Sequence, residues 1–125
     1  MADDMMNSLI GVLRKFQSGT PGILGSAVIS TDGFTIASEL PLSIEEERIA
    51  AMAAAMLALG EQATQEFEQG KLKRIFIEGE RGHIIVVSAG PDALLSAVAR
   101  PDAKLGMVLL QMHRAADQIR VFMAE

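Results

Sequence analysis

The stretch Ile23-Leu24-Gly25-Ser26-Ala27-Val28-Ile29-Ser30-Thr31-Asp32-Gly33-Phe34-Thr35-Ile36-Ala37-Ser38-Glu39 decides the fold. From Ile23 to Ser30 both alternating sets are small or apolar: Leu24, Ser26 and Val28 on one side, and Ile23, Gly25, Ala27 and Ile29 on the other. That pattern predicts a strand covered on both faces. Asp32-Gly33 between two apolar runs signals a hairpin, because both residues tolerate positive φ. Phe34 to Glu39 is then the returning strand, and Pro41 stops it.

Upstream, Met5, Met6, Leu9, Val12, Leu13 and Phe16 keep one apolar stripe at helical spacing. Asp3 or Asp4 is expected to cap this helix, and Gly19-Thr20-Pro21-Gly22 to end it. Downstream, Ser43-Ile44-Glu45-Glu46 reads as a capping box opening a long helix. The acids Glu45 to Glu47 suit the positive end of its dipole. The helix is expected to run to about Gln69, with Gly70 as its cap. Ile49, Ala53, Met56, Gly60, Ala63 and Phe67 line one face, and Glu47, Glu61, Gln65 and Glu68 mark the wet side. A further flank, Met52, Ala55 and Leu59 bordered by Ala51 and Gln62, is not needed by one sheet-facing stripe. It reads as a contact for a second helix.

Lys71 to Glu78 reads as a strand whose basic first half resembles the charged protection of a sheet edge. Turns at 78–82 and 90–92 bound the aliphatic strand His83 to Ala89. Ala93 to Ala99 completes a meander, although its weak alternation also allows a helix. Asp102 can cap a last helix from about Lys104 to Ala124, with Leu105, Val108, Leu109, Met112, Ala116, Ile119 and Met123 as its stripe. Helix, two strands, long helix, three strands and helix make an α/β layered domain around one five-stranded sheet. A chain of 125 residues is expected to be one domain over residues 1–125.

Composition excludes several functions. Half the residues are hydrophobic and eleven more are Gly, above the roughly 45–50% usual with Gly counted. Disorder is excluded, and an oligomer is favoured. Sixteen acids against eleven bases leave a net charge of −5, with no basic footprint for nucleic acid. The five Phe, with no Tyr or Trp, offer few stacking platforms. The absence of Cys removes disulfides, thiolate metal sites and a Cys nucleophile. The longest near-apolar run, Ile49 to Gly60, is too short to span a bilayer, which takes about 20 residues. No secretory signal is read at the N-terminus, so a cytoplasmic location is expected.

These elements carry a resemblance. Gly25 to Ser38, with its Asp-Gly turn and Ile36-Ala37-Ser38 return, resembles the first hairpin of the Roadblock family, which includes Roadblock dynein light chains and bacterial MglB. Met52-Ala53-Ala54-Ala55-Met56-Leu57-Ala58-Leu59-Gly60-Glu61 is similar to that family's central helix, and Leu105-Gly106-Met107-Val108 to the opening of its last helix. The resemblance implies a Roadblock/profilin-like α+β fold: an antiparallel sheet in the order 2-1-5-4-3, the long helix on one face and the terminal helices on the other. It also implies a homodimer through the third strand and long helix. On this chain the interface is expected at Ala51, Met52, Ala55, Leu59, Gln62, Leu72, Arg74 and Phe76.

No catalytic set is found. His83 and His113 lack metal-ligand spacing and read as satisfied or surface residues. Ser26, Ser30 and Ser38 sit in no nucleophile elbow. No phosphate-binding Gly-Lys loop occurs, so the chain is not expected to bind GTP itself. Arg48 and Arg81 read as solvated arginines rather than as groups acting on a partner's phosphoryl transfer. The expectation is a non-enzymatic module without cofactor or metal, paired with itself and with a Ras-like small GTPase. The alternatives are a structural light chain or adaptor and a PAS/profilin-like small-molecule sensor.

Overall fold

The computed structural model describes residues 2–124. The elements are α1 (Ala2–Gly19), β1 (Ile23–Ser30), β2 (Thr35–Glu39), α2 (Glu46–Glu66), β3 (Ile75–Gly79), β4 (Gly82–Ser88), β5 (Ala93–Ala99) and α3 (Leu105–Met123). The strands form one antiparallel sheet in the order β2-β1-β5-β4-β3, as the resemblance implies. α2 crosses one face from the β2 edge to the β3 edge. α1 and α3 pack against each other on the opposite face.

β5 explains the missing alternation. It lies between β1 and β4, with Val28 opposite Leu95 and Val86 opposite Ser96. Both of its faces are covered, so Leu94 packs under α2 and Leu95 under α1 and α3, each fully buried. A two-sided strand has no polar side to show. β1 obeys the same rule over Ser26 to Ile29. Near its start a register shift between Ile23 and Gly25 breaks the expected alternation. Ile23 packs into the α1/α3 layer, while Leu24 is left half-exposed. Gly25 sits where the chain crowds itself, since a Cβ there would come within 2.8 Å of Pro41.

The buried Ser26 hydroxyl donates to the Gln17 side-chain oxygen of α1. Ser26→Ala leaves that acceptor unpaired and is expected to cost about 1 kcal/mol in urea unfolding.

The hairpin is built differently from the expected turn. Gly33 alone takes positive φ (93°), and Asp32 does not. The Gly33 amide donates to Ser30 O at 2.9 Å, and Ser30 N donates to Phe34 O at 2.7 Å. This is a three-residue loop closed by a left-handed Gly, which needs only one such residue.

Helix ends also differ. α1 already includes Asp3 and Asp4, so neither caps it. Ser43 lies in a turn closed by Ile44 N donating to Pro41 O. α2 therefore starts at Glu46 after an N-cap Glu45 whose side chain makes no capping bond. Pro41 competes for this segment by seeding a turn. At the other end α2 stops at Glu66. Glu68, not Gly70, takes the first left-handed φ (56°), and Gln69 N donates back to Thr64 O. Asp102 pairs with Arg100 at 3.1 Å, and Lys104 is the N-cap of α3, again without a side-chain bond.

Two buried layers result. Leu9, Leu13, Val28, Ile85, Val87, Leu95, Val108, Met112 and Ile119 fill one side. Ala27, Ile29, Ala50, Ala53, Leu57, Val86 and Leu94 fill the other. The face of α2 on the sheet is thus Ala50, Ala53 and Leu57, with Ile49, Met56 and Gly60 flanking it. Ala63 and Phe67, expected there, are exposed, because α2 runs past the narrow β3 edge before it ends.

Candidate functional site

The features that ask for a partner gather at one edge. β3 is an edge strand with β4 on one side only. It is shorter than expected. Lys71 to Arg74 do not join it, because Leu72 turns inward over Gly60. A Cβ at Gly60 would meet Leu72 at 3.0 Å and Ile75 at 3.1 Å, so the absent side chain lets α2 lie close over the start of β3. The bases read as protecting the strand therefore precede it, and Glu78 is its one charged residue. Phe76 and Ile77 are each 40% exposed. An apolar, lightly charged edge is a template for another strand.

α2, which reaches this edge at Gly60, shows Met52 at 50% and Leu59 at 67% exposure, with exposed Ala55 and Ala63 on neighbouring turns. The residues expected to form one interface are not all brought together. Met52, Ala55 and Leu59 are exposed on the outward surface of α2. Ala51 lies toward the other flank, where its Cα is 3.5 Å from the Cβ position of Gly33. Gln62 is exposed. Leu72 is partly buried against the α2 layer, and Arg74 is exposed just before β3. Phe76 points to the opposite sheet face and lies tilted on His83, with ring centroids 5.1 Å apart.

Ala63 and Ile77 were missed as exposed residues near this edge, whereas Met56 packs against the core beneath α2, as expected. Met56 and Ala63 share the β3-facing side of α2 by helical spacing, and Ile77 pairs with Ile84 on the α2 face of the sheet. The apolar surplus hinted at Ala63 and Ile77. The helix rotation that separates Ala63 from the core is a tertiary property.

Two surface grooves flank α2. One, about 600 Å³, is lined by Glu61, Thr64, Gln65, Glu68, Gly70, Lys71 and Leu72. The other, about 570 Å³, lies between the hairpin and the start of α2, at Gly33, Phe34, Thr35, Glu46, Glu47 and Ala51. Both have rims of charged or polar groups rather than converging catalytic ones.

The histidines are not simply satisfied or solvated. His83 is 5% exposed, its Nε2 is 3.4 Å from Pro101 O, and its Nδ1 has no partner. His113 Nε2 is buried in α3, also without a partner. Among the described residues no group of His, Asp and Glu could hold a metal ion. No helix there is long and apolar enough to cross a membrane.

Comparison with known proteins gives a consistent result. A family profile described as Roadblock/LC7 domain matches residues 9–99. An uncharacterised protein of Methanocaldococcus jannaschii is 40% identical over 101 residues, covering 81% of this chain and 88% of that one. Among solved structures, a Roadblock/LC7 domain from Streptomyces avermitilis superposes with TM-score 0.86 at 19% identity, covering 92% of this chain and 97% of that one. The gliding protein MglB of Thermus thermophilus superposes with TM-score 0.83 at 23% identity, covering 94% and 90%.

Proposed function

This chain belongs to the Roadblock/LC7 domain family, and from that premise we propose that it is a non-catalytic, self-pairing platform that regulates or scaffolds a Ras-like small GTPase in the cytoplasm. The observation that carries the self-pairing is the open β3 edge beside the exposed apolar flank of α2. A two-fold arrangement covers both at once, extending the sheet through β3 and setting two α2 helices side by side. The whole chain acts as one domain in this reading. The GTPase partner is supported by the family and by the fold shared with MglB.

A specific observation favours a second reading, a light chain that holds a client segment. Ser8, Gly11, Val12, Lys15, Gln118, Val121 and Phe122 line a groove of about 360 Å³ between α1 and α3, remote from α2.

The deciding experiment is capture from native lysate on the tagged protein, once with GDP and once with a non-hydrolysable GTP analogue. A small GTPase enriched with the analogue is the expected result. A large client with no GTPase in either sample would overturn the GTPase reading in favour of the light chain.

A further inference from the structure

We propose that the trough between α1 and α3 docks an acidic amphipathic helix of a partner protein. The inference rests on the light-chain reading and adds the chemistry of the segment held.

The groove of about 360 Å³ between α1 and α3 is continued by a second one of about 140 Å³, and the two share Val12, Lys15 and Gln118. Ser8 and Gly11 line one end with Val121 and Phe122, and Phe16 lines the other with Gln111 and Arg114. The two helices therefore run antiparallel along one trough. Its α3 wall, from Gln111 to Val121, is about 15 Å long at the rise of an α-helix, nearly three turns. Val12, Phe16 and Ala115 make a buried apolar floor. Val121, at 61% exposure, and the partly buried Phe122 extend it to the surface.

Gly11 stands in the middle of α1, exposed, where an added Cβ would meet nothing within 4 Å. Gly weakens a helix interior relative to every residue but Pro, and nothing within the chain requires the missing side chain. Its absence lowers the trough wall, so the backbone of an incoming helix can approach closely.

A helix suits this trough better than an extended segment. Both walls are helices whose backbone groups are bonded within themselves, so an extended peptide finds no ladder to join. A helix brings its own backbone bonds and needs an apolar face. Charge selects its composition. Among the described residues lining the trough, the charged ones are Lys15 and Arg114. Both are exposed, and neither has an ion pair among the described residues. This basic rim lies on a chain whose sixteen acids outnumber its eleven bases. Carboxylates beside the apolar face of the incoming helix pair with both cations, whereas a basic helix meets like charge. Adhesion to a lipid surface draws on clusters of about four to eight bases, more than the trough holds. α2 lies on the opposite face of the sheet, so the trough stays open when the chain pairs with itself through α2 and β3.

The test is selection from a displayed library of Ala-based helical peptides of about 15 residues, with Leu, Ala, Glu and Lys varied along one face. It is run on immobilised wild type, Gly11→Leu and the double variant Lys15→Glu/Arg114→Glu. Gly11→Leu is expected to melt no lower than wild type, yet to retain roughly tenfold fewer peptides, because the new side chain fills the trough. On wild type Glu is expected to exceed Lys among retained peptides roughly tenfold, and the double variant to reverse that preference. Equal retention on wild type and Gly11→Leu, or none on either, would overturn the trough as a docking site. Retention without a Glu excess, or an excess that the double variant leaves unchanged, would overturn the acidic occupant. A wild type that retains no peptide but sediments with phosphatidylserine vesicles would overturn the proposal in favour of a membrane surface. Acidic peptides held by the trough support the proposal even where native lysate yields no large client, a result that would overturn the light-chain role alone.

Discussion

Leu59→Glu is expected to yield a folded monomer. Leu59 is 67% exposed in the single chain, so a glutamate there is solvated and the monomer loses nothing of its core. Across a two-fold seam the same change buries two carboxylates with no partner. Burying an unpaired charge costs about 3 kcal/mol or more, so the two together weaken the dimer by about 10,000-fold. Light scattering reads the mass, and circular dichroism confirms that the fold is kept. Ala58→Glu is the control. Ala58 is also exposed but lies on the side of α2 away from β3. That variant is expected to remain dimeric. A dimeric Leu59→Glu chain would refute the seam.

The second large effect is on stability. Leu95→Ala is expected to destabilise the protein by about 2–5 kcal/mol. Leu95 is fully buried on the central strand β5, opposite Val28 and Val87, in the layer shared with α1 and α3. Neighbours on two adjacent strands and two helices cannot all move inward, so a cavity remains. Set against a stability of about 5–15 kcal/mol, the loss is a large fraction of the whole. A melting temperature lower by about 10 °C is the expected reading. Leu94→Ala tests the layer beneath α2 in the same way. A fall of less than 2 °C for either variant would show that its layer is not packed as described.

The two leucines also show what could be read early. They are adjacent in sequence and belong to different layers, a relation that the weak alternation of Ala93 to Ala99 left open and that the place of β5 between β1 and β4 decides. The turn residues on either side gave β1 and β5 their residue bounds, because a short aliphatic run bounded by turns has few ways to pair. Helix ends were harder. Ser43 carries a good capping signal, yet Pro41 uses the segment for a turn and α2 starts later. Local signals for the two structures overlap, and the packing of Ala50 and Ala53 on the sheet chooses between them.

The candidate surface was legible in part. Met52, Ala55 and Leu59 stood out because their apolar character exceeded what one sheet contact needs. Ala63 did not, because helical spacing gives the relative angle of residues on α2 but not the rotation of α2 on the sheet. Phe67 fell on the wrong side of that division, since the pattern does not tell where the sheet stops beneath the helix.

By itself the sequence determined the element order, the two-sided character of β1, the lack of a basic footprint and the presence of an apolar flank not needed by one sheet contact. These are properties of local pattern and composition, present wherever the chain goes. Only the tertiary structure decided that Lys71 to Arg74 leave the edge strand, and that β3 stays short and lightly charged. Those facts depend on Leu72 folding over Gly60 and on the angle at which α2 crosses the sheet, and both are set by contacts between residues far apart in the chain.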